Sequence, residues 1–247
     1  LKISIITVSY NSEATIRDTI ESVLSQTYNN IEYIVIDGAS KDSTLSIINE
    51  YKERISLIVS ERDNGIYDAM NKGIRMASGD VVGILNSDDV FFDSNSVQSI
   101  AENFSKNTDA VYADLVYVNR DNLNKPSRFY SSKNFSLSRI RFGIMLPHPT
   151  FYVRRCLFDK LGFYKTDYRV AADFELITRF VTSKIKLHRL PLCLVKMREG
   201  GISSSDLKGR VHQNFEIVRA CKENKIYTNI FLVMLKLPFK MLSYFRR

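Results

Sequence analysis

The chain has 247 residues, 45% of them hydrophobic and 25% charged, which is enough apolar surface for one large α/β core and excludes disorder along the whole length. Its net charge of +8 is divided: residues 1–93 hold 8 Lys/Arg against 15 Asp/Glu, while residues 94–247 hold 27 against 12, so the basic excess is directed at an acidic partner from the second half. Cys156, Cys193 and Cys221 are too few and too far apart for a zinc motif, a redox motif or a disulfide framework, and they suit a reducing compartment. The chain opens on a strand-like run, not on a basic segment followed by an apolar one, so no signal peptide is expected. No stretch of 18 uninterrupted apolar residues predicts a membrane-spanning helix.

Ile3–Val8 is a β-branched run closed by Ser9, Tyr10 and Asn11, and it reads as a buried strand. Ile16, Ile20, Val23 and Leu24 recur at helical spacing and predict a helix from about Ser12 to Gln26, capped by Asn11 or Ser12. Tyr33–Ile36 predicts a second strand closed by Asp37-Gly38, and Leu45, Ile48 and Tyr51 mark a second helix. A third strand over Ile55–Val59, a helix over Ile66–Met76 and a fourth strand over Val81–Leu85 follow. That strand runs directly into Asn86-Ser87-Asp88-Asp89. Val97, Ile100, Ala101 and Phe104 then give one more helix face, and Ala110–Val118 one more strand. Regular alternation of strand and helix specifies an α/β fold, a mostly parallel sheet flanked by helices. Beyond it, Asn119–Asn134 reads as a polar loop, Pro147-His148-Pro149 as a turn or extended edge and Ala172–Thr182 as a helix. Glu199–Asp206, with two glycines and three serines, reads as a mobile loop, and residues 206–247 as terminal helices.

Ligands of such sheets bind beyond the carboxyl ends of the strands. The polar clusters 9–11, 37–44 and 86–89 all fall there, so one site is expected to gather them. The first strand is followed neither by the glycine fingerprint of a dinucleotide fold nor by a P-loop, which weighs against hydride transfer and P-loop phosphoryl transfer. Adjacent carboxylates at a strand end suit a hard divalent cation, Mn2+ or Mg2+, that takes few oxygen ligands from protein and several from substrate phosphates. The alternative is a turn that caps a helix, since Asp and Asn favour both.

At this point the sequence resembles a known family. Thr7-Val8-Ser9-Tyr10-Asn11, Asp37-Gly38-Ala39-Ser40-Lys41-Asp42 and the run from Asn64 to Gly73 are similar, in order and spacing, to the donor-site blocks of glycosyltransferase family 2. Asn86-Ser87-Asp88-Asp89 resembles its DxD metal motif, and Ala171-Ala172-Asp173-Phe174-Glu175-Leu176 its later acidic motif; the likeness fades after about residue 205. The resemblance implies a GT-A (Rossmann-like) fold, a nucleoside-diphosphate sugar donor, often a UDP-sugar, and inversion at the anomeric carbon. It implies that Thr7, Val8 and Tyr10 border the nucleobase, that Asp37 accepts a hydrogen bond from the base, and that Asp63 lies along the same pocket. Asn86 takes the first DxD position, where an amide replaces the family's acid and removes one negative charge. With Ser87 it belongs to the donor site, while Asp88 is the metal ligand and Asp89 shares the ligation. Asp173 is the candidate general base, with a helix cap as its alternative role and Asp167 as the spare.

Lys72 and Arg75 are candidates for the diphosphate or for plain surface. His148 is a possible contact to acceptor or metal, against the more frequent packed turn histidine. Arg198, beside Gly200-Gly201, is a candidate to close over the diphosphate as part of a lid. Residues 1–205 are expected to form the catalytic domain, with a nucleotide-sugar half over 1–95 and an acceptor half over 96–205. Residues 206–247 hold nine Lys/Arg against three acids. Within them, Ile226–Phe245 places Lys236 and Lys240 on one helix face and Leu232, Leu235, Phe239 and Leu242 on another, with a kink at Pro238. Such a basic amphipathic segment suits a membrane surface, and a terminal helix packed on the domain is the alternative. The expected protein is cytoplasmic, attached peripherally to the inner face of the cytoplasmic membrane, and glycosylates a polyprenyl-diphosphate-linked saccharide for cell-surface polysaccharide. A nucleotidyltransferase, a nucleic-acid-binding module and a polymerase are the competing readings. The first lacks a glycine-rich basic loop, the second lacks basic residues interleaved with aromatics on a groove, and the third lacks room. No nucleic-acid partner is expected.

Overall fold

A computed structural model describes residues 1–200 and 207–235 of the chain. β1 (Ile3–Ser9) is buried along its entire length, as a central parallel strand covered on both faces must be. Ile3 and Ile5 enter one core and Ile6 and Val8 the other, following the two-residue period of a strand. α1 (Ile16–Leu24) begins later than the sequence suggests, with Thr15 at its cap position and no side-chain cap bond. Asn11 and Ser12 are used elsewhere. Asn11, at φ 49, accepts the Lys41 N–H at 2.9 Å through its Oδ1, and the Ser12 N–H donates to Thr44 Oγ1 at 2.7 Å. Both residues therefore tie the first strand-end loop to the second.

β2 (Ile31–Asp37), α2 (Thr44–Asn49), β3 (Leu57–Ser60), α3 (Ile66–Met76), β4 (Val81–Ile84), β5 (Asp89–Phe91) and α4 (Ser96–Glu102) complete the regular half. The second half contains β6 (Ala110–Asn119), β7 (Asn122–Tyr130), β8 (Tyr152–Arg154), α5 (Cys156–Leu161), α6 (Ala172–Thr182), β9 (Leu187–Arg198), α7 (Leu207–Glu223) and α8 (Ile230–Met234). One mixed sheet runs β3-β2-β1-β4-β8-β6-β9-β5, with β7 added to β6. Its first four strands are parallel; β8 runs antiparallel to both β4 and β6, and β9 parallel to β6.

Two segments differ from the sequence reading. Asn119–Asn134 is largely a hairpin arm and not a loop: β7 is an exposed edge strand whose pairing slips near Pro126, so neither face carries an apolar period. β9 escapes recognition because Pro191 and a register shift opposite Asp114 interrupt its alternation. The 147–149 turn is as expected, a short 3-10 turn over His148–Thr150.

Helices cover both faces of the sheet. α7 and α8 join the same core as β1, since Ile217, Ala220, Cys221 and Val233 pack into the cluster that holds Ile6 and Val8. Among the described residues no helix is long and apolar enough to cross a membrane. Close approach sets two glycines. A Cβ on Gly73 would meet Ile6 Cγ2 at 2.5 Å, so only glycine lets α3 lie this near β1. At Gly83 a Cβ would stand 2.1 Å from the Tyr152 ring, which is itself fully buried. Gly83→Ala is therefore expected to destabilise the fold by about 1–3 kcal/mol through overpacking. A thermal melt should show the midpoint falling by roughly 2–4 °C per kcal/mol at this chain length, and an unchanged midpoint would contradict the packing described.

Candidate active site

The parallel strands β1, β2 and β4 deliver their polar carboxyl ends to one edge, and hydrogen bonds lock those ends together. The Asn11 N–H donates to Ser40 Oγ at 2.9 Å, joining the first loop to the second. The Ser12 and Ser87 hydroxyls meet at 2.8 Å, joining the first loop to the acidic turn. The three clusters singled out in the sequence are thus brought together.

Asp37 ends β2 fully buried, and its carboxylate is saturated. It accepts from the Ser40 N–H at 3.1 Å, Ser40 Oγ at 2.5 Å, Ser60 Oγ at 2.6 Å and Ser9 Oγ at 3.3 Å. Thr7 is also fully buried, with its hydroxyl 3.2 Å from Tyr33 Oη, and Val8 lies in the core. Tyr10 is different: it is 60% exposed and stands at the opening. A side chain at Gly38 would press on Asp63 Oδ2 at 3.3 Å and on the Tyr10 ring at 3.4 Å, so glycine keeps a slot open between them. Asp63 Oδ1 receives Lys72 Nζ at 2.6 Å, whereas its Oδ2 is buried without a partner. Lys72 also pairs with Glu61 at 2.7 Å, and Arg75 stacks on Phe163 at 4.8 Å. Neither cation is held ready for a phosphate.

The acidic turn is short of partners. Asn86 Oδ1 and both oxygens of Asp89 are buried without a hydrogen bond of ordinary geometry. Burial pushes the Asp89 carboxyl well above the usual range and neighbouring Asp88 adds to this, while Asn86 and Arg198 offset only part. Asp88 is half-buried, and burial raises its carboxyl too. Ser87 is buried against Ser12. These donors are hard oxygens, the kind that Mn2+ or Mg2+ takes. Among the described residues no group of three His, Cys, Asp or Glu side chains converges on a metal position, so most of a cation's shell would come from substrate and water.

Arg198 is not the lid residue expected from its neighbourhood. It ends β9 with its side chain only 6% exposed, pairs with the Asp18 carboxylate and donates to the Asp88 carbonyl at 2.9 Å and the Arg120 carbonyl at 3.0 Å. Three fixed partners make it a brace under the acidic turn. The expected loop continues over 201–206, outside the described residues.

Asp173 lies in the first turn of α6. It does not cap the helix: Ala171 holds the cap position, and Asp173 Oδ1 accepts from the Phe174 N–H at 2.7 Å. Burial pushes its carboxyl up to about 6. Tyr67 and Tyr164 stack with ring centroids 5.8 Å apart, and the Asp173 charge helps to raise both phenols. The Tyr67 hydroxyl donates to the Val170 carbonyl at 2.6 Å, which joins the start of α3 to the segment before α6. A cavity of about 320 Å3 opens there, lined by Asn64–Asp68 and 166–169. Asp167, the spare candidate, is engaged in an ion pair with Arg219. His148 is a packed turn histidine: it is buried, its Nε2 lies 2.7 Å from Tyr164 Oη, and burial lowers its pKa to about 4. It faces neither solvent nor the acidic turn's orphaned oxygens. Sequence reasoning gave no role to Tyr67, Tyr164 or Glu216; for Glu216 the signal was a polar stripe at positions 212, 216, 219 and 223, one face of a helix.

A parallel half-sheet with an acidic turn at its carboxyl edge, flanked by helices, is an α/β fold of the kind that binds its ligands at that edge. The profile described as Glycosyl transferase family 2 matches residues 4–167, and the chain belongs to that family. It is 30% identical over 181 residues to the PGL/p-HBAD biosynthesis glycosyltransferase of Mycobacterium bovis, covering 71% of this chain and 68% of that protein. It is 27% identical over 224 residues to the UDP-Glc:alpha-D-GlcNAc-diphosphoundecaprenol beta-1,3-glucosyltransferase WfaP of Escherichia coli, covering 86% and 84%. Among solved structures, the mannosyltransferase PcManGT of Pyrobaculum calidifontis, in complex with GDP-Man and Mn2+, superposes with a TM-score of 0.68 at 21% identity. That match covers 90% of this chain and 63% of the other, and at this identity it speaks for the fold alone. A nucleic-acid-binding module and a nucleotidyltransferase are thereby set aside.

The brace yields a prediction. Arg198→Ala removes a charge-assisted network beneath the acidic turn and should cost on the order of 2–3 kcal/mol, measured by denaturant unfolding. A residue that served only as a surface lid would leave the unfolding midpoint where it is.

Proposed function

We propose that the chain moves a sugar, with inversion, from a nucleoside-diphosphate sugar, a UDP-sugar first of all, to a saccharide carried on polyprenyl diphosphate, in the assembly of cell-surface polysaccharide. Asp173 carries the reading. A carboxyl raised to about 6 is ionised at neutral pH yet basic enough to take a proton from a hydroxyl as that hydroxyl attacks. The likeness to an enzyme named for a UDP-sugar and a diphosphoundecaprenol acceptor supports donor and acceptor alike.

The division of labour follows from the residues. Tyr10, Gly38 and Asp63 border the slot for the base, and Asp37 ends the strand beneath it. Asn86, Ser87 and Asp88 face the diphosphate, and Asp88 with Asp89 would hold Mn2+ or Mg2+. A bound divalent cation would act as a Lewis acid that neutralises the charge of the leaving diphosphate. Asp173 takes the acceptor hydroxyl's proton as the new bond to the anomeric carbon forms and the bond to the diphosphate oxygen breaks. Attack from the face opposite the leaving group inverts that carbon. On this reading residues 1–95 serve the donor, 96–205 the acceptor and 206–247 a membrane surface. Tyr227 and Phe231, 73% and 76% exposed, suit that contact, as do exposed Val211 and Phe215. Lys236, Pro238, Phe239, Lys240 and Leu242 lie outside the described residues.

Four outcomes are expected. With a panel of UDP-, GDP- and dTDP-sugars, metal-dependent release of UDP should vanish in Asp88→Ala, and a variant that keeps metal-dependent release removes Asp88 from the metal's ligands. Asp173→Asn should lower turnover by about 10²–10⁴-fold while UDP affinity by calorimetry stays put; full turnover in that variant would sink the base assignment. Wild-type turnover should rise with pH through about 6 and then level off, because only the ionised Asp173 accepts a proton. Deletion of residues 226–247 should abolish co-sedimentation with anionic vesicles.

A further inference from the structure

Outside the sites described above, Glu216 in the middle of α7, 6% exposed, is a carboxylate that three consecutive backbone N–H groups address. Its Oε1 accepts from the Arg169 N–H at 2.6 Å, and its Oε2 from the Val170 and Ala171 N–H groups at 2.9 and 2.8 Å. His212, one turn earlier, reaches Oε1 at 3.0 Å. Burial works against the charge, but the three N–H groups hold the Glu216 carboxyl below its ordinary range. Three consecutive N–H groups turned toward one anion are the geometry of a backbone nest, here filled by a side chain of the same protein. The same helix face continues the grip. Arg219 pairs with the Asp167 carboxylate, and Glu223 accepts from Lys165 and the Tyr168 hydroxyl, each at 2.8 Å. The gripped segment lines the cavity beside Tyr67 and leads directly into the first turn of α6, where Asp173 stands.

We propose that Glu216 is a positioning residue: its carboxylate fixes the 169–171 backbone and so sets where Asp173 stands and what charge it faces. This rests on the reading of Asp173 as the base, but the geometry makes a claim of its own. α6 starts at Ala172 with no side-chain cap bond, so the entry of the chain into the helix is fixed by groups outside α6, of which Tyr67 holds the Val170 carbonyl. Glu216 contributes to that fixation from another helix, outside the 4–167 span of the family profile. Among the described residues, the groups that bear on Asp173 come from three elements. Tyr67 comes from α3, Tyr164 from the loop before α6, with its hydroxyl held by His148, and Glu216 from α7. On α6 itself Glu175 is paired with Arg179 and Lys165, and the 137–142 turn that packs on α6 brings only the exposed Arg139 and Arg141. Glu216 adds to the raising of the Asp173 carboxyl.

The test is Glu216→Gln in the full chain, read three ways. Amide hydrogen exchange at 169–171 should quicken by at least tenfold. Carboxyl-carbon NMR should find Asp173 titrating near 6 in the wild type and lower in the variant, because a negative neighbour is gone. Turnover should fall at least tenfold with donor KM within twofold, and its acid limb should move to lower pH. A folded variant with unchanged exchange and an unmoved Asp173 titration overturns the proposal whether or not an acceptor is known. If exchange and titration change while Asp173→Asn remains fully active, the positioning stands and the base reading falls. Should Glu216→Gln not fold, Glu216→Asp keeps the charge but shortens the reach. Faster exchange at 169–171 in that variant supports the proposal, and wild-type exchange overturns it.

Discussion

A carboxylate taken out of water must be met by donors or it resists ionisation, and that constraint sorts the acids of this protein. Asp37 and Glu216 are each met by donors on both oxygens. One ends the second strand of the parallel half, and the other clamps a loop. Asp89, and one oxygen of Asp63, are buried without partners, while Asp173 has only the N–H of its own neighbour. An unmatched buried carboxyl is a cost that folding alone does not explain. These three acids stand at the acidic turn, beside Gly38 and at the helix start near the cavity, the places to which the function proposed assigns the cation, the nucleobase and the acceptor's proton.

The sheet makes this sorting possible. β1, β2 and β4 end at one edge, and short loop-to-loop bonds through Ser12, Ser87, Asn11 and Ser40 remove the freedom that three separate loops would otherwise have. Arg198 works from below through the Asp88 carbonyl, so the turn's backbone is held by β9 while Asn86 Oδ1 and both Asp89 oxygens are left unmatched. Rigid backbone with unsatisfied side chains is the arrangement that preorganisation requires.

The regular half was legible because each strand there is a short run of β-branched residues and each helix keeps its period, from Ile3 to Met76. The strand ends were legible for the same reason, since a parallel sheet sends them to one edge. In the second half β6, α6 and the 147–149 turn were legible, but two strands were not. β7 is exposed on both faces and β9 is broken by Pro191, so neither shows a period that local reading can use. Roles that depend on a distant partner were hidden altogether. Nothing near Arg198 announces Asp18, 180 positions away, and nothing near Ala171 announces Glu216. For His148 the more frequent alternative holds: the histidine between two prolines is bonded to Tyr164 inside the core.

The charge distribution then acquires a physical meaning. A nucleoside diphosphate is an anion, yet the half proposed to receive it carries 8 Lys/Arg against 15 Asp/Glu over residues 1–93. The cations that sequence reading offered to it are engaged: Lys72 by Glu61 and Asp63, Arg75 by the Phe163 ring, Arg198 by Asp18 and two carbonyls. Charge neutralisation at the diphosphate therefore falls to an ion held by Asp88 and Asp89 in the function proposed, and the surplus acids become the means of attracting that ion. The basic excess sits in the other half, where α7 adjoins the segment leading to Asp173. On this reading the donor is met by a cation the acids recruit and the acceptor's anionic carrier by the protein's own basic residues, while the proposed base stands on a helix whose entry is held by α7.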